Sequence, residues 1–140
     1  MNANCAAAAQ LWPASERPTA YGVCMAESGG NPNAHCLNCF PGVIEDSRGE
    51  YQINVDAHPQ DANLDLYNPT VNTKAAYQIW LSSGWGAWSS YTSGSYKKYL
   101  SDYTGAPAAS PGPTLPAAVP AGAFTLIGLL LGGVWLAENL

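Results

Sequence analysis

Charge stops at Asp102. All five Lys and Arg residues and nine of the ten acids lie at or before that position, and no charged side chain occurs from Tyr103 to Ala137. A chain of 140 residues divided in this way reads as one soluble domain followed by an appendage, not as two full domains. Five cations cannot neutralise a phosphate track, which argues against a nucleic-acid binder. Five Trp and eight Tyr supply enough apolar surface for a core and argue against wholesale disorder.

The appendage has two parts. Residues 104–116 are mostly Ala, Pro, Gly, Ser and Thr, with Pro107, Pro111, Pro113 and Pro116, a composition that forms an extended, semi-rigid linker. Residues 117–137 are an uncharged run of 21. As a helix this run spans ~31 Å, about the thickness of a bilayer's hydrocarbon core. Trp135 sits near its end, where an amphipathic ring suits the interface, and Glu138 returns to polar surroundings. Gly128 and Gly132 have the small-xxx-small spacing of closely packed membrane helices. A transmembrane helix is expected here, the competing reading being a buried hairpin helix or an Ala/Gly tail. The first ten residues lack the basic start and apolar centre of a signal peptide. The domain is therefore expected to stay on the side of the membrane where it is made, unless that membrane becomes part of a particle.

Residues 1–103 carry mostly helical signals. The alanines before Leu11 and Trp12 suit a short helix ending before Pro13. A second helix fits Thr19 to Glu27, stopped by Ser28-Gly29-Gly30. Asp46 to Asn54 alternates mildly, with Tyr51 and Ile53 on one face and Gln52 and Asn54 on the other, as in a short strand or hairpin. Asn68-Pro69 is a helix start; Val71, Ala75, Ala76, Ile79 and Trp80 then recur at helical spacing up to Gly84. The predicted fold is mainly α with a short β element.

One carboxylate stands out. Glu27 ends an apolar segment, Val23-Cys24-Met25-Ala26. Such a site desolvates the charge and raises the pKa, so that the acid can donate a proton near neutrality. Taken alone, a Glu at a helix end is more often a solvated surface residue. The words around it carry more. Ala26-Glu-Ser-Gly-Gly-Asn-Pro-Asn-Ala34 resembles the catalytic motif of lytic transglycosylases and goose-type lysozymes. Ser47-Arg-Gly-Glu-Tyr-Gln-Ile-Asn54 resembles their second motif, with Glu50 where an apolar residue is usual. His58-Pro59, the segment Leu66 to Ala76 and the closing stretch Gly84 to Tyr96 follow in order, the last resembling phage-encoded members.

The resemblance implies an α+β lysozyme-like fold and cleavage of the β-1,4 bond between N-acetylmuramic acid and N-acetylglucosamine in peptidoglycan, with no cofactor and no metal. It makes Glu27 the catalytic acid and base, and Ser47, Gln52, Asn54 and Tyr91 candidate substrate-binding residues. Hydrolytic members carry an acid at the place of Ser47, so the resemblance leans toward transglycosylation, which needs no second carboxylate. Asp46, next in the chain, keeps hydrolysis open. The aromatic side chains of the closing stretch divide between core and cleft edge, most of them to the core. Cys5, Cys24, Cys36 and Cys39 permit two disulfides, Cys36 pairing with Cys39 or Cys24 and Cys5 with the remaining one. A zinc site from Cys24, Cys36, Cys39 and His35 or His58, or free thiols, are the alternatives. The combination implies a membrane-anchored wall-cleaving enzyme in the membrane of a phage virion, with peptidoglycan, lipid and other virion proteins as partners. The alternatives are a host-membrane location, a hydrolytic lysozyme, or a virion protein that binds peptidoglycan without cleaving it.

Overall fold

The first helix begins at Asn2, whose side chain accepts from the Cys5 amide at 3.1 Å. That bond satisfies one of the free N–H groups left at any helix start. In the computed structural model the chain divides into two units, Met1–Ala109 and Ser110–Leu140. Residues 1–105, all in the first unit, are described. The predicted span at 117–137, and the predicted linker beyond Gly105, lie outside the described residues. Among the described residues, no helix is long and apolar enough to cross a membrane.

Helix α1 (Ala3–Ala9) stops earlier than the sequence predicts. Leu11 and Trp12 follow it in tightened turns, their amides donating to Ala8 O and Ala9 O, and Trp12 reaches the core from there with 1% exposure. Helix α2 (Arg17–Ser28) ends where predicted, at Gly29, whose φ of 66° suits a residue without Cβ and whose N–H donates to Met25 O. A Cys5–Cys24 disulfide ties the two helices together. A loop of that length contributes about 3 kcal/mol through the unfolded state.

Three short antiparallel strands follow, β1 (His35–Leu37), β2 (Asp46–Arg48) and β3 (Ile53–Asn54), paired in chain order. The predicted hairpin is β2–β3, with Ser47 opposite Asn54. Strand β1 shows no alternation in its three residues, so periodicity does not reveal it. The tight turn between β2 and β3 holds Tyr51, fully buried. Gly49 opens this turn at φ 77°, with the Asn72 side chain and Leu66 carbonyl packed so close that no Cβ fits.

Helix α3 (Pro69–Ser83) starts at its predicted cap, where Asn68 Oδ1 accepts from the Thr70 amide at 3.0 Å. Its inward face differs from the expected apolar stripe: Asn72 and Thr73 are buried, while Val71 is half-buried. Asn72 is inside because it braces the β2–β3 turn. Its Oδ1 accepts from Tyr51 N (2.9 Å), and its Nδ2 donates to Arg48 O (2.8 Å) and Leu66 O (2.9 Å). A 3₁₀ turn (Pro59–Asp61) precedes α3, and another (Trp85–Ala87), the short α4 (Ser89–Thr92) and a third 3₁₀ segment (Ser95–Asp102) complete the domain.

The core is aromatic. The Trp12 ring packs against Tyr51, Tyr77 and Trp85 at centroid distances of 5.3, 5.4 and 5.5 Å. Removing such a ring from water is worth roughly 3 kcal/mol. Trp85 and Trp88 are buried, while Trp80, Tyr91, Tyr96 and Tyr99 pack half-buried around them. The result is a small helix-rich domain with a short three-stranded sheet, as expected for a lysozyme-like fold.

Candidate active site

The last turn of α2 faces the β1–β2 loop across a cleft of about 450 Å³. Glu27 lines one side. Phe40, Glu45 and the Cys36–Cys39 disulfide come from the loop, and Ser89, Ser90, Ser93 and Ser95 from the closing segment. The loop is pinched shut at its base: Asn38 N donates to Glu45 O (2.8 Å), and Glu45 N to Asn38 Oδ1 (3.0 Å). Asn38 sits in the left-handed region at φ 50°, which Asn tolerates better than most residues. This closure holds Glu45 in the cleft wall.

Burial raises the Glu27 pKa, the Ser90 hydroxyl and backbone amide offset part of that rise, and the nearby Glu45 adds to it. The position also lies at the negative end of the α2 dipole, which disfavours an anion. Although Ser90 is close enough to influence the carboxyl, Glu27 Oε1 and Ser90 Oγ are both shut away from solvent without a hydrogen bond of ordinary geometry. A buried polar atom with no partner is uncommon and marks a place where something else is meant to bond.

The remaining candidates divide. Gln52 lines the cleft, but its Nε2 is occupied by Gly49 O (2.8 Å) and Ala34 O (3.1 Å). Its backbone is also left-handed, at φ 48°. Gln52 thus stabilises the turn and has only its carbonyl to offer the cleft. Gln52 also borders a second hollow of about 120 Å³ lined by Asn54, His58 and Trp88, among others. Asn54 Oδ1 accepts from Asp56 N at 3.0 Å, again a turn bond.

Two candidates lie away from the cleft lining. Ser47 is 1% exposed, and its hydroxyl donates to Glu45 Oε1 at 2.7 Å, orienting an acid that does line the cleft. Tyr91 stacks on Tyr96, with centroids 4.8 Å apart, and on Trp85, outside the cleft lining. Asp46 also lies outside that lining. Its carboxylate pairs with Arg48 and, at 2.9 Å, with His35, and the Arg48 hydrogen bond holds its pKa below the usual value. The acid across from Glu27 is therefore Glu45. Glu45 immediately precedes β2, and the closure of the loop on Asn38 turns it into the cleft wall while Asp46 pairs with Arg48 and His35.

The disulfides are Cys5–Cys24 and Cys36–Cys39. All four cysteines are paired in this way, one of the pairings that the sequence permits, and none is left free among the described residues. Glu45 and Ser90 are the site residues that sequence reasoning did not single out. Neither carries a local signal, since both are placed by the folding of the β1–β2 loop and α4 around α2.

Residues 3–90 match the lysozyme-like domain family, well over half of the chain. The chain belongs to the lysozyme-like domain family. No curated protein and no solved structure matches it. The matched span contains α1 to α3, the sheet, Glu27, Glu45 and Ser90. Membership supports a peptidoglycan-acting activity of the glycosidase or transglycosylase kind for this lysozyme-like domain.

Proposed function

We propose that the protein is a lytic transglycosylase that cleaves the N-acetylmuramic acid–N-acetylglucosamine β-1,4 bond, with Glu27 as acid and then base. The observation that carries this reading is Glu27 itself: a carboxyl with one buried, unpartnered oxygen, opening on a cleft of about 450 Å³. In the first step, protonated Glu27 delivers its proton to the glycosidic oxygen as the bond to C1 breaks. The resulting carboxylate then removes the proton of the muramoyl 6-hydroxyl while that oxygen attacks C1. No water is consumed, and a 1,6-anhydro end results. Gln52, in the cleft wall with its Nε2 already bonded, would offer its side-chain carbonyl to a hydroxyl or acetamido N–H of the strand.

A second reading rests on Glu45. A carboxylate in the opposite cleft wall, oriented by Ser47, suits activation of a water molecule and hence hydrolysis. Digestion of purified peptidoglycan by the full chain, followed by mass spectrometry, separates the two. Products one water lighter than the hydrolytic ones support transglycosylation. Ordinary reducing ends that disappear in Glu45→Gln support the second reading. Absence of any cleavage would overturn both.

Residues 117–137 extend the proposal. We place the enzyme on a membrane through this uncharged run, as a component of a phage virion that opens the wall during entry or lysis, or of the host membrane. The domain before Tyr103 has more acids than bases, so attraction to an anionic wall does not explain its localisation. An anchor does. Equal detergent-free solubility of the full chain and a chain ending at Tyr103 would count against it.

A further inference from the structure

We propose that Ser90 is the positioning residue of Glu27: its hydroxyl donates to Oε1, most strongly once the carboxyl is ionised, and leaves Oε2 to carry the catalytic proton of the neutral acid. This rests on the reading of Glu27 as acid and base. The supporting geometry is that Ser90 and Glu27 line the same cleft, and that Ser90 Oγ and Glu27 Oε1 are both buried and both without a partner. Each is what the other lacks, since a hydroxyl donates and a carboxylate oxygen accepts. Ser90 is 7% exposed, so water does not compete freely for it.

The backbone around Ser90 is fixed as a positioning role requires. Ser95 Oγ donates to the Ser90 carbonyl at 3.2 Å and Ser93 Oγ at 3.4 Å, while α4 is held by the neighbouring Trp88, whose Nε1 donates to Tyr51 O at 3.0 Å. The Ser90 backbone is thus tied through α4 to the β2–β3 turn. With Oε1 taken, the proton is confined to Oε2. That choice matters because a carboxylic acid delivers its proton from one oxygen in one direction. Among the described residues that line the cleft, Glu45 is the other charged group acting on Glu27, from the β1–β2 loop side.

The test uses the full chain with Ser90→Ala and Ser90→Thr, and two readouts. Carbon NMR of the Glu27 carboxyl, assigned by its loss in Glu27→Gln, follows its titration without any need for activity. Steady-state cleavage of peptidoglycan gives kcat and KM across pH. Loss of the hydroxyl removes a bond to the charged form. The Glu27 pKa then rises further in Ser90→Ala, kcat falls about tenfold with KM unchanged, and the alkaline limb of the pH profile moves upward. Thr restores the titration and part of kcat. A Glu27 titration identical in the parent and Ser90→Ala overturns the proposal, whether or not the enzyme cleaves peptidoglycan. A titration that shifts in a protein unable to cleave peptidoglycan would leave the Ser90–Glu27 bond in place and overturn the functional reading instead. Near-ultraviolet circular dichroism verifies that each variant is folded.

Discussion

Glu27 and Glu50 are both carboxylic acids set into the same small domain, and burial raises the pKa of each. Their surroundings otherwise differ. Glu27 ends α2 and opens on a cleft that it shares with the unpartnered Ser90 hydroxyl, whereas Glu50, which also has one buried oxygen without a partner, lines neither hollow. Glu50 lies in the β2–β3 turn at 0% exposure, and its Oε1 accepts from Thr73 Oγ1 at 2.7 Å. Its main chain is tied down as well, since Ser28 Oγ donates to Glu50 O at 2.7 Å. A raised pKa therefore does not distinguish a working acid from a structural one. Access to a ligand does.

The strongest way to break this comparison is to neutralise each acid in turn. Glu27→Gln is expected to lower peptidoglycan cleavage by about 10²- to 10⁴-fold, the usual contribution of a positioned proton donor. Glu50→Gln is expected to retain cleavage close to the parent level. Turbidity assays on purified walls check both. If Glu50→Gln abolished cleavage in a folded protein while Glu27→Gln did not, the roles assigned to the two acids would be reversed.

Stability separates the two regions next. Asn72 makes three buried bonds to the turn that carries Glu50 and Gln52. Asn72→Ala is expected to lower unfolding stability by about 3 kcal/mol, because it leaves a cavity and buried groups without partners, as read by urea denaturation. Thr73→Val is smaller, roughly 1–3 kcal/mol, since it keeps the volume and removes only the donor to Glu50. That donor lowers the Glu50 pKa, so its loss should be felt more at pH 8 than at pH 4. Neither change touches the Glu27–Ser90 pair, and the Glu27 titration is expected to stay where it is. A coincident shift would mean that the two acids are coupled through the Ser28–Glu50 bond.

The sequence made one member of this pair legible and obscured the other. Glu27 was singled out by the resemblance of the words around it, while a helix signal, a Gly stop and an apolar run placed it at a helix end, since local signals survive folding. The caps at Asn68 and Gly29 and the β2–β3 hairpin were readable for the same reason. Glu50 had only its mismatch with the motif to mark it; its burial depends on Thr73, 23 residues away. Ser47 and Glu45 show where such reading fails. A strand of three residues has too little alternation to say which side chain faces the cleft, and the step from Ser47 to Glu45 was set by the closure of the β1–β2 loop on Asn38. Ser90 entered the site through the packing of α4 against α2, a contact between segments more than 60 residues apart with no periodicity to announce it.

The smallest expected effect tests the structural acid alone. Burial holds the Glu50 pKa in the folded state above its ordinary value of 4.5, so the folded protein keeps this proton more tightly than the unfolded chain does. The linked stability is fully present below the ordinary value and is lost as pH rises through the raised one, where the fold must accommodate a sealed anion. Glu50→Gln has no proton to lose. It keeps a carbonyl for Thr73 and places an amide where Oε2 lacked a partner. The parent and Glu50→Gln should therefore differ least at pH 4, with the variant gaining on the parent as pH rises to 8, as measured by urea midpoints with the disulfides intact. The variant retains a weaker slope of the same sign from Glu27, whose pKa is raised in the same direction. Parallel curves for parent and variant across that range would show that Glu50 is not sealed in solution, and the contrast between the two acids would then rest on the cleft alone.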